Sequence, residues 1–217
     1  MKRMAFLLTV FITLGMLTEN QAQSTKVLMK TSMGNISLVL YDDTPIHRDN
    51  LIALIKKNFY DGVLFHRVIP GFMIQGGDPG TRAVNPGQQL GTIPAEFRPN
   101  HYHKKGALAA ARTGGPGNPQ MASSGSQFYI VVGKPCSVAE LTQMEQAPNN
   151  PHPKFTKEQK KIYTTIGGTP HLDYTYTVYG EVTQGLDVVD KISKVERDMT
   201  TNRPKVDVKI ISFTVVK

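Results

Sequence analysis

Apolar and polar residues alternate over residues 26–40: Val27, Met29, Ile36, Leu38 and Leu40 take every second position, with Met33-Gly34-Asn35 between the two runs. A period of two turns one face of each run toward a core, so this stretch predicts a β-hairpin. Thr44-Pro45 then opens a helix, since Thr can cap and proline suits the first helical position. Leu51, Leu54, Ile55 and Phe59 give a stripe at helical spacing through Asn58, and Asp61-Gly62 ends it. Residues 64–69 and 72–75 read as short strands around a Pro70-Gly71 turn, and 76–80 as a tight loop. Residues 81–105 look irregular. Residues 107–111 and 127–132 read as buried strands, joined by a Gly, Pro and Ser loop over 113–126. A strand over 177–182, an amphipathic helix over 186–192 and a closing strand over 206–216 complete the pattern.

Residues 134–165 break it. They are polar and rich in Lys and Gln, with short helices predicted at 138–146 and 156–163 and Pro148 to Pro153 between them. They carry too few apolar residues for a core of their own and are expected to form a surface insertion rather than a second domain. Many short strands with two main helices suit a closed antiparallel barrel, which leaves no unpaired strand edge.

A chain of 217 residues suits one domain with an insertion. Its 40% hydrophobic and 19% charged residues suggest neither a disordered nor a polytopic membrane protein. Nineteen Gly and fourteen Pro favour a turn-rich β fold over a helical bundle. The start has its own logic: Lys2 and Arg3, an apolar run over residues 5–17, then polar residues and Ala22. This is the pattern of a secretory signal peptide over residues 1–22, leaving 23–217 as the folded domain. The apolar run is short for a bilayer span, so an uncleaved anchor is the weaker reading and no stable membrane insertion is expected after removal. The formal charge is +8, but the cations are scattered except for Lys56-Lys57, Lys104-Lys105 and Lys160-Lys161. A solvated basic surface explains them; nucleic-acid binding would rest on charge alone and is not expected. Cys136 stands alone and cannot form an internal disulfide. His101 and His103 lack a nearby third ligand, so no metal is expected. The glycines of 76–80 are not followed by the Lys-Ser/Thr pair of a phosphate loop.

Three blocks carry the chemistry. The first runs Phe65-His66-Arg67-Val68-Ile69-Pro70-Gly71-Phe72-Met73-Ile74-Gln75-Gly76-Gly77-Asp78-Pro79. The second is Gly125-Ser126-Gln127-Phe128-Tyr129-Ile130, and the third is His171-Leu172-Asp173-Tyr174-Thr175-Tyr176-Thr177-Val178-Tyr179-Gly180. In this order they resemble the cyclophilin family of peptidyl-prolyl cis-trans isomerases, over all of the chain after the leader except 134–165.

The resemblance implies a mainly β fold, a closed eight-stranded antiparallel barrel capped by two helices. It implies catalysis of rotation about X-Pro bonds in unfolded or extended polypeptides, without a cofactor, by a monomer exported from a bacterium to the periplasm or beyond. An X-Pro bond is nearly balanced between its isomers, yet the barrier is about 18–20 kcal/mol because amide resonance must be broken. Tighter binding of the twisted amide is sufficient catalysis. The resemblance gives Arg67 the central role, donating to the proline nitrogen as its lone pair appears; Arg stays charged at any working pH. Gln75 would orient Arg67 and bond substrate backbone, with Gln127 behind it. Phe72, Met73, Tyr129 and Leu172 resemble the walls of the proline pocket. Phe72 and Met73 are adjacent, so a regular strand cannot point both inward: the backbone must bend, or one must serve from the rim. Ala111 and Arg112 match the strand edge that would pair with substrate main chain.

His171, Tyr176, Tyr129 and Arg112 stand where the best-known eukaryotic members have Trp, His, Phe and Asn. These changes bear on substrate preference and cyclosporin affinity more than on the reaction. A rival reading from another class is a proline-peptide binding module or chaperone; the intact Arg67, Phe72 and Gln75 argue against it, and the insertion is the feature that would serve it.

Overall fold

The computed structural model describes residues 24–83, 86–148 and 154–216; the leader over 1–22 and most of the 148–153 separator lie outside them. The hairpin forms as β1 (Lys26–Thr31) and β2 (Gly34–Leu40). Then come α1 (Pro45–Lys56), β3 (Arg67–Ile69), β4 (Met73–Gly76), the two-residue β5 (Thr92–Ile93), β6 (Ala107–Ala110), the two-residue β7 (Ser123–Ser124) and β8 (Phe128–Val131). The insertion carries α2 (Val138–Gln146) and α3 (Lys157–Thr165), and β9 (Val178–Gln184), α4 (Leu186–Ser193) and β10 (Ile210–Val216) follow. Helix α1 stops two residues short of the predicted Asn58, which takes a left-handed φ of 51°. Residues 206–209, the start of the predicted closing strand, stay outside β10.

The expected closed barrel is not what forms. Eight strands make one open, strongly curled antiparallel sheet in the order β10-β1-β2-β9-β6-β8-β4-β3, so β3 and β10 are end strands that do not pair with each other. The chain entering β3 meets β10's side around the isolated Leu64–Lys209 bridge, with Gly62 N–H donating to Ile210 O (2.8 Å), Ile210 N–H to Val63 O (2.8 Å) and Phe65 N–H to Val208 O (2.9 Å). Beyond that point β3 is three residues long, and its Val68 N–H is taken by the Asn202 carbonyl (2.9 Å). A short strand covered by a loop has no edge left for a ladder, and its edge is managed by covering rather than by closure.

The sheet has two apolar faces. On the inner one, Val27, Met29, Ile36, Leu38, Val68, Ile74, Leu108, Phe128, Ile130, Ile210 and Phe213 form the main core, which Leu51, Leu54 and Ile55 of α1 and Val188, Val189 and Ile192 of α4 cover. On the outer face of the central strands, Met73, Ala107, Ala109, Tyr129, Val131 and Val178 make a second cluster. Every residue of β6 and of β8 is therefore buried, which is why these strands read as continuous apolar runs rather than alternations.

Helix α1 is not capped as predicted. The Thr44 side chain makes no cap bond; its hydroxyl donates to Tyr41 O at 3.2 Å. The orphan amides of Ile46 and His47 instead donate to Glu96, at 3.2 and 2.9 Å. A carboxylate suits the positive end of a helix, and here it is supplied from the loop after β5.

Candidate active site

Strand register assembles the site. Arg67 on β3 faces Gln75 on β4, Gln75 faces Tyr129 on β8, Tyr129 faces Ala109 on β6, and Ala109 faces Val178 on β9. Directly opposed residues share a face, so one row crosses the outer side of the sheet. The next row on that face holds Ile69, Met73 and Val131. Ala107, Ala109 and Ala111 keep the floor low, and larger side chains around them enclose a cavity of about 100 Å³.

That cavity is lined by Arg67, Phe72, Met73, Gln75, Ala111, Arg112, Tyr129, Leu172 and Tyr176. The geometry resolves the adjacency of Phe72 and Met73. Strand β4 begins only at Met73, which is 2% exposed, whereas Phe72 lies in the preceding turn, half-buried. Gly71, at φ +71°, turns the chain there in a conformation costly for other residues. His171 is exposed and stacks on Phe72, with centroids 5.8 Å apart, so it stands at the rim. Leu172 ends a single 3₁₀ turn, Pro170–Leu172, that brings it over the cavity.

Gln127 lies outside the cavity and acts through Gln75. Arg67 Nη1 donates to Gln75 Oε1 (3.3 Å), and Gln75 Nε2 donates to Gln127 Oε1 (3.1 Å). The line continues through Gln89, which sequence reasoning passed over, to Asp78 of the first block: Gln127 Nε2 donates to Gln89 Oε1 (3.2 Å), and Gln89 Nε2 donates to the Asp78 carboxylate. Gln89 sits in the stretch read as irregular, and nothing in its local pattern sets it apart.

A second hollow, about 360 Å³, adjoins the first and shares Gln75, Ala111 and Arg112 with it; Gln89, Leu90, Thr92, Thr113, Ser124 and Gln127 complete its lining. The two form one groove. The expected use of Ala111 as a pairing edge needs correction: its N–H already donates to Gln127 O (3.0 Å), and its carbonyl accepts from Ser124 N–H (2.8 Å). A segment added along this edge has to begin at Arg112. The Arg112 side chain is held as well, with Nε on Thr175 O (2.7 Å) and the guanidinium 4.5 Å over the Tyr176 ring.

None of the cavity's lining residues is Ser, Cys, Asp, Glu or His. Burial pushes the Tyr129 hydroxyl well above its ordinary pKa, so it stays protonated. The cavity therefore offers walls of Phe72, Met73 and Leu172, two held guanidinium groups, Arg67 and Arg112, and the oriented Gln75 amide: equipment for binding and polarising a neutral group. His101 and His103 do not converge: His101 Nε2 meets Asp43 (2.6 Å) and His103 Nδ1 meets Asp173 (2.8 Å).

Residues 26–215 match the family "Cyclophilin type peptidyl-prolyl cis-trans isomerase/CLD". A peptidyl-prolyl cis-trans isomerase of Acinetobacter baylyi is 36% identical over 212 residues, 95% of this chain and 94% of that protein. A Streptococcus pyogenes protein, by name a bifunctional phosphatase/peptidyl-prolyl cis-trans isomerase, is 37% identical over 195 residues, which are 88% of this chain but 38% of that protein. The fold is similar to a crystal structure of a Cryptosporidium parvum cyclophilin-type isomerase, with a TM-score of 0.66, 21% identity, and 89% and 98% of the two chains covered. With the family matched over nearly the whole length, on a sheet whose outer face carries the hollow and the arginine described above, the chain belongs to the cyclophilin-type peptidyl-prolyl cis-trans isomerases and is an enzyme of that type.

Proposed function

We propose that the groove centred on Arg67 is where this isomerase works, and that it acts on X-Pro bonds of extended polypeptides by non-covalent stabilisation of the twisted amide. The observation that carries this reading is that Arg67 lines one hollow with Phe72, Met73, Tyr129 and Leu172, its guanidinium bonded to Gln75 and 6.0 Å from the Phe72 ring centroid. A proline ring seated among Phe72, Met73, Tyr129 and Leu172 places its nitrogen beside the guanidinium. In the planar amide that nitrogen has no lone pair to give. As the bond twists, resonance is lost, the lone pair appears, and the Arg67 N–H meets an acceptor that the ground state lacks. An interaction present only in the transition state lowers the barrier rather than deepening the bound state. Residues flanking the proline would lie along the second hollow and the chain from Arg112.

The chain would act on unfolded or extended proline-containing proteins, as a monomer and without a cofactor. Export from a bacterial cell is supported by the charged start, apolar run and Ala22 of residues 1–22, and bacterial origin by the organisms of the relatives above. Among the described residues no helix is long and apolar enough to cross a membrane.

The test is a protease-coupled cis-to-trans assay on an Ala-Pro peptide, comparing wild type with Arg67→Ala and Arg67→Lys. Removing a transition-state donor is expected to lower kcat/KM by about 10²–10³-fold in Arg67→Ala. Arg67→Lys should stay well below wild type because the rigid fork is lost. Equal rates for wild type and Arg67→Ala would remove Arg67 from the reaction. A folded wild type that binds the peptide without acceleration would favour the binding-module reading. Export is tested by fractionating cells that express the full chain; a product confined to the cytoplasm at full length would overturn it.

A further inference from the structure

We infer that the 134–165 insertion is a buttress of the proline pocket, and that Tyr163, Asp173 and His103 are positioning residues that hold Tyr129 in its wall. This rests on the reading of the groove just given. Tyr163, on α3, is fully buried between the rings of Phe155 and Tyr102, at centroid distances of 5.7 and 5.6 Å. Its hydroxyl donates to Asp173 Oδ2 at 2.6 Å. The other oxygen, Asp173 Oδ1, accepts from the His103 backbone N–H (2.8 Å) and from His103 Nδ1–H (2.8 Å). A carboxylate at Nδ1 fixes the tautomer and leaves Nε2 to accept from the Tyr129 hydroxyl, at 2.9 Å. The Tyr129 ring lies parallel to His103 (15°) and edge-on to Tyr176 (82°), and both tyrosines line the cavity.

Four side chains from four separate segments thus form one line from the insertion to the pocket. All are at most 5% exposed, so water cannot replace a lost partner. A surface ornament would need none of this: its helices would cover apolar body, with no buried hydroxyl aimed at a carboxylate beneath the site.

Tyr163→Phe deletes one oxygen and keeps the ring. Bound and free Ala-Pro peptide are followed by NMR exchange in the full chain, for wild type, Tyr163→Phe, Tyr129→Phe and the double variant. A misplaced wall weakens ground state and transition state alike, so Tyr163→Phe is expected to weaken peptide binding about threefold or more, with the bound exchange rate little changed. In the Tyr129→Phe background, where the line is already cut, Tyr163→Phe should add nothing. Wild-type binding by Tyr163→Phe, or two effects that simply multiply, would overturn the inference. If Tyr163→Phe does not fold, titration of wild type decides: the peptide should shift the Tyr163 ring resonances together with those of Tyr129, and shifts confined to Tyr129 would overturn it. A peptide that perturbs neither Tyr129 nor Arg67 in wild type would instead sink the reading of the groove itself.

Discussion

Between Arg67 and Asp78 stand three glutamines, and their orientation is not free. Arginine only donates and an ionised aspartate only accepts, so four bonds in series can be satisfied only if each amide turns its oxygen toward Arg67 and its nitrogen toward Asp78. Gln75 is thereby compelled to present Oε1 to the guanidinium. Gln89→Leu cuts this line at its outer end, outside the Arg67 cavity but within the lining of the adjoining hollow, so a short Ala-Pro peptide is the substrate to use. A hydrogen bond contributes about 0.5–1.5 kcal/mol net, and 1.4 kcal/mol is tenfold, so kcat/KM is expected to fall about two- to tenfold. The protease-coupled assay reads it; an unchanged rate would show that Gln75 needs no outside help. The first two members, Arg67 and Gln75, were legible because they share a motif. Asp78 lies in the same block, but its link to them was not legible, because it runs through Gln127 and Gln89, side chains from other parts of the chain.

The insertion was legible as helices and silent as to purpose. Local signals suffice for α2 and α3: each starts with a complete capping box, Ser137 with Glu140 and Thr156 with Gln159. Its apolar centre is small, Leu141, Phe155 and Tyr163, and Tyr102 from outside the insertion packs against it. No periodicity announces that partner, or that Gly168 must close the stem. Gly168 bridges to both Lys104 and Lys134, and a Cβ there would lie 2.3 Å from the His103 carbonyl and 2.6 Å from the Tyr163 ring. The obstacle is backbone on one side and a buried ring on the other, so neither can give way cheaply. Gly168→Ala is expected to cost about 1–3 kcal/mol, the usual range for forcing atoms into a packed interior. Urea unfolding measures it; a loss below a few tenths would mean the stem is loosely seated.

At the scale of the molecule, the strands of the main sheet were readable, whereas the two-residue β5 and β7 and the question of closure were not. Alternation reports which face of a strand is buried, but it carries no information on whether the two end strands meet; that depended on β3 being three residues long and on a loop reaching Val68. The same holds for what ties helix α1 to the sheet. His47, 2% exposed, gives Nδ1 to Glu96 (2.7 Å) and meets Ser123 Oγ through Nε2 (2.9 Å), joining α1, the loop after β5 and β7 in one buried knot beside the Tyr179 ring. Burial depresses the His47 pKa below 6.5, with the hydrogen bond and charge of Glu96 opposing only in part. The unfolded chain then takes up a proton on this histidine near pH 6.5 while the folded chain does not. Stability therefore falls as pH drops below about 6.5, by at most about 1.4 kcal/mol per unit from this group, until the folded pKa is reached. His66, also held low by burial, acts with the same sign. The separation is made by comparing wild type with His47→Gln, whose side chain cannot titrate. Both should lose stability between pH 7.5 and 5.5 in urea titrations, and the variant, though weaker at pH 7.5, should lose less. Parallel losses would mean that His47 titrates alike in the folded and unfolded chains, with the Glu96 carboxylate offsetting the burial of the charge.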